Sequence, residues 1–170
     1  FTKHFTGTRM LKIPLVIIGF DPVMIIFCVF INGYYQYLCH TQTIYKFPRW
    51  YEYLFNTPSH HRVHHARNPK YLDANYAGTL MIWDRMFGTF VPEDPNEPCD
   101  YGLVVPMTTL NPLTILFQEY TNIFKDISKP GITLRDRFMY LFGPPGWSHD
   151  GSRKMSTDIK RDYYQIIKNN

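Results

Sequence analysis

The sequence lacks the patterns that mark cysteine-rich, zinc-finger and nucleic-acid-binding proteins. Its three cysteines, Cys28, Cys39 and Cys99, form no CxxC pair and show no spacing typical of secretory disulfides. The formal net charge is +4, but lysine and arginine are scattered and never form a basic run. We therefore expect a reducing, cytosol-facing environment and no nucleic-acid partner.

The sequence also lacks an initiating methionine. It opens at Phe1 inside an apolar, aromatic-containing stretch, which is not how a signal peptide begins. We therefore expect the chain to be the C-terminal part of a longer protein.

Apolar residues are concentrated near the start of the chain. Residues 11–20 are almost wholly apolar, Asp21-Pro22 interrupts them, and residues 23–39 are apolar and aromatic again. Asp21 is a suitable N-cap and Pro22 suits the first helical position. A helix from Pro22 to about Ile44 would be roughly 34 Å long, enough to cross a hydrocarbon core of about 30 Å. The alternative is a buried core helix of a soluble protein.

Charge after this segment indicates an orientation. The segment is followed by five basic residues and one acidic residue: Lys46, Arg49, Arg62, Arg67 and Lys70 against Glu52. Because basic residues are enriched on the cytoplasmic side of membrane proteins, this side of the segment is expected to face the cytoplasm.

The rest of the chain predicts short helices and loops. A helix should begin at Pro58, with Thr57 as its cap, and stop before Asn68-Pro69. Gly88 should end a helix over residues 79–87, and residues 92–106 read as a surface loop. Further helices are expected from Asn111-Pro112 and over residues 135–142, followed by a polar tail after Ser148.

Four histidines in six residues, His60-His61-Arg62-Val63-His64-His65, point to metal chemistry. On a helix His61, His64 and His65 stand at i, i+3 and i+4, so their rings can converge on one ion or a pair. The HExxH pattern of zinc proteases is missing. All-imidazole sites suit iron, copper or zinc, so ligand type does not choose the metal. A purely structural histidine cluster is the alternative.

The segment NTPSHHRVHHARNPKYLDANYAGTLMIWDRMFGTF resembles the third histidine box of the fatty acid hydroxylase and sterol desaturase superfamily. The HTQ at His40, Tyr101-Gly102 and the GPPGW at residues 143–147 extend the similarity, most closely to the branch that acts on alkylglycerol ether lipids. The resemblance implies an all-α fold, an integral-membrane helical bundle with a cytosolic helical cap. Residues 1–44 would be membrane helices, 45–147 the catalytic cap and 148–170 a polar tail.

The resemblance also implies a ligand set. His61, His64 and His65 match the HxxHH box, and His40 matches an additional ligand at a helix end. His60 would be a further ligand or a hydrogen-bond donor behind the ligands. Asp73 and Asn75 would accept hydrogen bonds from ligand imidazoles, or would only form the turn before Tyr76. His4 has no partner at a box spacing. Trp83 and Phe87 are expected to pack in the core, and Asp84 and Arg85 to form an ion pair.

The implied activity is that of a di-iron, O2-dependent oxygenase that oxidises a C–H bond of a membrane lipid. The cofactors would be two iron ions and an external electron donor, either tetrahydrobiopterin or a cytochrome or ferredoxin chain. The protein would lie in the bacterial inner membrane or the endoplasmic reticulum. Alternatives are a sterol or fatty acyl desaturase or hydroxylase, and a non-catalytic membrane protein with a structural zinc site.

Overall fold

The computed structural model of the protein describes residues 10–107 and 109–169, and their regular structure is helical. β-Pairing in these residues is limited to two isolated bridges, Phe55 with Leu80 and Ala66 with Tyr101. The all-α prediction is therefore confirmed for this part of the chain, whereas His4 lies outside it. The α-helices are α1 (Ile13–Ile17), α2 (Pro22–Cys39), α3 (Arg49–Leu54), α4 (Pro58–His65), α5 (Ile82–Phe87), α6 (Pro112–Ile127), α7 (Leu134–Phe142) and α8 (Ser156–Asn169).

The chain divides into two compact units. Unit 1 comprises Phe1–His65 and Asp73–Cys99, and unit 2 comprises Ala66–Leu72 and Asp100–Asn170. All the histidines of the predicted box belong to unit 1. This division follows from contacts alone and does not test functional regions. The regions predicted at residues 1–44, 45–147 and 148–170 therefore stay predictions.

Helix α2 begins as its sequence predicts. The Asp21 carboxylate accepts hydrogen bonds from the N–H groups of Val23 (2.7 Å) and Met24 (3.1 Å), and Pro22 is the first helical residue. The predicted end at Ile44 is wrong, because the backbone leaves the helix at His40. The 18 residues span about 27 Å at about 1.5 Å each.

The apolar side chains of α2 remain exposed. Cys39 is the buried residue of this helix, whereas Phe30 is 67% exposed. Within the described residues α2 is the one helix long and apolar enough to cross a membrane. Within the described part of the chain it is not a core helix, because the other described residues leave its apolar surface uncovered.

Unit 1 has a core in which polar side chains are prominent. Helix α4 begins at Pro58 and ends at His65, close to the prediction, and it buries Ser59, His60, His61 and Val63. Val63 and Met81 are fully buried, and Asn56 and Asn75 are each 1% exposed. Buried polar groups need hydrogen-bond partners to be tolerated, so this core is held by directed contacts as well as by apolar packing.

Helix α5 departs from the predictions in two ways. It starts at Ile82 rather than residue 79, although Gly88 ends it as predicted in the left-handed conformation with φ 72°. Trp83 and Phe87 are exposed rather than packed in the core. They and Met86 form an apolar face that no other described part of the chain covers.

Unit 2 is built from capped, amphipathic helices. The side chain of Asn111 caps α6, as predicted, and Thr133 and Asp136 form a reciprocal capping box at α7. The tail after Ser148 contains helix α8, which was not predicted and which packs against a 3-10 turn at Pro69–Tyr71. Its apolar positions are interspersed with charges, so composition hides its amphipathic pattern.

Candidate metal centre

Three imidazole nitrogens form a small triangle in unit 1. The Nε2 atoms of His40 and His61 are 3.0 Å apart, those of His40 and His65 are 3.1 Å apart, and those of His61 and His65 are 3.1 Å apart. Helix α4 supplies His61 and His65, one turn apart on the same face, and His40 comes from the end of α2. A contact more than twenty residues away in sequence therefore completes the triangle.

The size of the triangle fits one metal ion. Imidazole nitrogens bind iron or zinc at about 2.1 Å, so two of them lie about 3.0 Å apart on perpendicular bonds and about 3.4 Å apart on tetrahedral bonds. Hydrogen bonding does not account for the arrangement, because each ring nitrogen carries either one hydrogen or one lone pair and three cannot all pair with one another. His40, His61 and His65 can therefore supply three nitrogens on one side of an ion.

The backbone of α2 fixes the ring of His40. Its Nδ1 lies 2.8 Å from the carbonyl oxygen of Gln36, which can only accept, so Nδ1 carries the hydrogen and Nε2 carries the lone pair. Metal-binding histidines commonly donate their other N–H to a carbonyl in this way. The same contact satisfies a carbonyl at the C-terminal end of α2. His40 thus both ends α2 and presents a nitrogen to the triangle.

Burial keeps His61 in the neutral form that binds metals. Loss of solvent, followed by the nearby His40, His65 and His64 rings, lowers the pKa of His61 to about 3. The pKa of His65 is also lowered, first by burial and then by His64 and His40. Since a metal ion binds imidazole only in its unprotonated form, these surroundings favour metal binding at neutral pH.

His64 lies beside the triangle, not in it. Its ring centre is 5.8 Å from that of His61 and 5.2 Å from that of His65. Its Nδ1 lies 3.2 Å from the carbonyl oxygen of Ala74, which again leaves Nε2 as the nitrogen with the lone pair. The three predicted ligands of α4 therefore lie on one helix. The contact with Ala74 holds the His64 ring beside the triangle.

Asn75 contacts the backbone of α4 instead of an imidazole. Its side-chain amide donates to the carbonyls of His60 (3.2 Å) and Val91 (2.8 Å), and its oxygen accepts from the N–H of Val91 (2.9 Å). Asn75 therefore does not make the expected hydrogen bond with a ligand ring. Its role is to hold α4 against the chain that follows α5.

Asp73 lies next to Tyr76, whose ring is near His64. Burial and then a hydrogen bond with Asp73 raise the pKa of the Tyr76 hydroxyl to about 12. The ring centres of Tyr76 and His64 are 6.1 Å apart. Asp73 and Asn75 both have positive φ, 44° and 53°, which bends the chain so that the carbonyl of Ala74 reaches His64.

His60 is not part of the triangle. It is 2% exposed, its Nε2 lies 4.0 Å from a carboxylate oxygen of Glu52, and its ring meets Phe90 edge to face at 5.2 Å. Adjacent residues on a helix do not share a face, so His60 and His61 cannot both reach one ion closely. The assignment of His60 as a ligand finds no support in this geometry.

Two further residues position the site and were missed from the sequence. Asp84 accepts from the N–H groups of Tyr76 and Ala77, both at 2.8 Å, and from the Thr89 hydroxyl. It does not form the expected pair with Arg85, which donates to the carbonyls of Tyr53 and Glu52. Neighbouring side chains on a helix point apart, and the i, i+1 spacing itself could have indicated this.

Arg62 is the second missed residue. Its guanidinium forms a two-point pair with Glu93 at 2.8 and 2.6 Å. It also donates to the carbonyls of Thr41, Ile44 and Tyr45, which directly follow His40. Arg62 therefore fastens the segment after α2 to α4, and it helps keep His40 near the other two rings.

The part of the chain that holds these histidines is similar in sequence to known proteins. A sequence model of the fatty acid hydroxylase family matches residues 1–89, which include all five candidate ligand histidines. The chain is 46% identical over 117 residues to the alkylglycerol monooxygenase of Xenopus tropicalis, an alignment that covers 68% of this chain and 25% of that protein. The human alkylglycerol monooxygenase is 43% identical over 117 residues, with the same coverage.

The chain thus spans about a quarter of the length of the curated relatives it matches. The alkylglycerol monooxygenase of Caenorhabditis elegans is 42% identical over 104 residues, covering 55% of this chain and 20% of that protein. No solved structure matches the chain.

Proposed function

The chain belongs to the fatty acid hydroxylase family, and from that premise we propose that it is part of an O2-dependent oxidoreductase that hydroxylates a membrane lipid, most like alkylglycerol monooxygenase. The reaction class inserts one oxygen atom of O2 into a C–H bond and reduces the other to water with two electrons and two protons. The substrate class is an alkylglycerol ether lipid, and the electrons come from tetrahydrobiopterin or from a cytochrome or ferredoxin chain.

The observation that carries this proposal is the triangle of His40, His61 and His65. These residues would hold one iron ion, and His64, with its Nε2 lone pair free, would bind a second together with ligands from outside the described residues. Bound iron supplies the O2 activation that protein side chains cannot provide. The described side chains contribute neutral imidazoles with fixed hydrogen positions and a buried surrounding that limits access of water to His61.

We propose further that residues 1–44 belong to a membrane-spanning helical bundle and residues 45–147 to a cytosolic cap, with 148–170 as a polar tail. Two observations support this arrangement. The apolar surface of α2 is exposed and suits a bilayer. The two basic residues Lys46 and Arg49 follow it on the side of the histidines, which favours a cytoplasmic orientation of that side. The membrane is the bacterial inner membrane or that of the endoplasmic reticulum.

Metal analysis tests the proposal. The complete protein that contains this chain is purified from membranes, and its metal content is compared with that of a His40→Ala/His61→Ala/His65→Ala variant. We expect about two irons per chain in the parent protein and a loss of iron in the variant. The matched control is His149→Ala, which removes an imidazole of unit 2 that contacts Tyr140.

Turnover then separates the substrate classes. Alkylglycerols with a pterin reductant are compared with sterols and fatty acyl lipids supplied with a cytochrome or ferredoxin. Aldehyde release from the ether lipid supports the proposal, and oxidation of a sterol or acyl chain alone contradicts the ether-lipid assignment. One zinc per chain without turnover contradicts the oxygenase and supports a non-catalytic zinc protein, since three imidazoles suit zinc equally well.

A further inference from the structure

A cavity lies in unit 1 beside α3 and α4, and none of the triangle histidines lines it. Its volume is about 310 Å³, and its wall includes His60 from the side of α4 that faces away from His61 and His65. The basic residues at this cavity are Lys46, Arg49 and Arg85, and the acidic ones are Glu52 and Glu93. The metal centre makes no use of this cavity.

The two acidic side chains of the cavity are already occupied by other groups. Glu93 is paired with Arg62 at 2.6 Å. Glu52 is 6% exposed and accepts from the N–H of Phe47 and from the Thr57 hydroxyl. Neither Lys46 nor Arg49 has an acidic partner within 4.0 Å among the described residues. The hydrogen bonds to Glu52 leave its charge in place, so Lys46, Arg49 and Arg85 face one carboxylate that no cation pairs with, and the cavity keeps an excess of positive charge.

Arg85 is held in one position at the cavity wall. Its guanidinium lies over the ring of Phe90, 3.7 Å from the centre, and over that of Tyr53 at 4.6 Å. Stacked arginine loses little freedom when it binds an anion, because its planar donors are already oriented. The rings occupy its faces, and some of its N–H donors remain for a ligand.

His60 lines the cavity beside Glu52. Its side chain is almost completely buried, and its Nε2 lies 4.0 Å from a carboxylate oxygen of Glu52. The imidazole faces this carboxylate, so the donors available to an anion in the cavity are the cationic side chains.

We propose that this cavity binds a phosphate group. Lys46 and Arg49 supply positive charge, and Arg85 supplies oriented donors. Phosphate is the chemistry that matches several cationic donors converging on one small volume. The group belongs either to a lipid headgroup or to a free phosphate, and the site is independent of the proposed oxygenase activity.

Titration calorimetry of the complete protein in a neutral detergent tests the site with two probes, inorganic phosphate and dihexanoyl phosphatidic acid. Lys46→Gln/Arg49→Gln removes two charges at the cavity. Lys125→Gln/Arg135→Gln removes the same charge from exposed positions of unit 2 and is the matched control. We expect the first variant to weaken binding by about tenfold or more and the control by less than about twofold.

The two probes identify the source of the phosphate. Binding of both, or of inorganic phosphate alone, assigns a free phosphate site, and binding of the short-chain lipid alone assigns a headgroup site. Two results overturn the proposal: neither probe binds the parent protein, or both double variants weaken binding equally, which would show nonspecific attraction to a cationic protein. Circular dichroism of each variant verifies that the helices remain folded.

Discussion

Helices α2 and α4 meet at the imidazole triangle but are built in opposite ways. α2 carries apolar side chains and leaves nearly all of them exposed, whereas α4 is rich in polar residues and buries Ser59, His60 and His61. If burial followed hydrophobicity alone, α2 would be buried and α4 would be exposed. α2 therefore suits apolar surroundings that the described chain does not provide, and α4 lies in a polar interior that the same chain provides.

The comparison shows what each helix depends on. The position of α4 depends on directed hydrogen bonds from Asn75 and Arg62, and on the loop that Asp84 organises. The stability of α2 depends on its cap and on what covers its surface. Substitutions in the two helices should therefore differ in size and in the property that they change.

The largest effect is expected at the point where the helices meet. His61→Ala removes the nitrogen that lies within 3.1 Å of both other members of the triangle. We expect iron affinity of the complete protein to fall by more than about 100-fold, because loss of supporting contacts alone costs up to that much. Equilibrium dialysis against a calibrated chelator measures it. His149→Ala serves as control, and a similar loss there would contradict the assignment.

A large loss of stability is expected from Asp84→Ala, which removes the buried carboxylate beneath the loop that contacts α4. Two backbone N–H groups and one hydroxyl would lose their acceptor. We expect the free energy of unfolding to decrease by about 3–5 kcal/mol, since each buried unpaired donor costs about 1–3 kcal/mol.

Chemical denaturation in detergent, followed by circular dichroism, measures this change. Glu119→Ala removes a carboxylate from the exposed surface of α6 and should change stability by less than about 0.5 kcal/mol. Equal effects of the two substitutions on the free energy of unfolding would show that the burial of Asp84 does not contribute to stability.

A change in membrane insertion, rather than in folding, is expected from Phe30→Arg in the middle of α2. Phe30 is 67% exposed, so arginine meets no protein neighbour that it must displace. Insertion should become less favourable by about 2.5–3.5 kcal/mol, the cost of a charge at the centre of a spanning helix. Extraction of membranes at alkaline pH measures the inserted fraction. Tyr164→Arg in α8 is the control. If both variant proteins remain in the membrane fraction, this result argues against a spanning α2.

The smallest effect is expected at the start of α2. Asp21→Ala removes the acceptor for the N–H groups of Val23 and Met24. The helix should be destabilised by about 1 kcal/mol, as is usual for loss of an N-cap. Helicity of α2 in micelles, followed by amide hydrogen exchange at residues 23 and 24, measures it, and Asp21→Ser should restore most of the protection. Unchanged exchange in Asp21→Ala would show that the cap is not needed.

Local signals in the sequence predicted much of this fold. Asp21, Asn111 and Gly88 act at helix ends as their chemistry requires. The spacing of His61 and His65 also led to the correct shared face, since it depends only on helical geometry. The similarity around His40 identified the residue that completes the triangle.

What the sequence could not predict depends on contacts between distant segments. The ring of His64 turns towards Ala74 because two residues with positive φ bend the chain there, and pattern analysis does not reveal such a bend. His60 follows the same helical pattern as its neighbours, yet Glu52 and Phe90 surround it. Trp83 was expected in the core but is exposed, and α8 was overlooked because charges interrupt its apolar positions.

Gly78 has a consequence for how α2 can move. A β-carbon at this position would lie 2.7 Å from the side-chain nitrogen of Gln36 and 2.8 Å from the oxygen of Asn32. The next residue, Thr79, donates to that same Asn32 oxygen at 2.7 Å, about 12 Å along α2 from His40. Because glycine has no β-carbon, the loop before α5 can lie directly against α2 here. Any larger residue at position 78 would push the helix away from this loop and carry His40 with it.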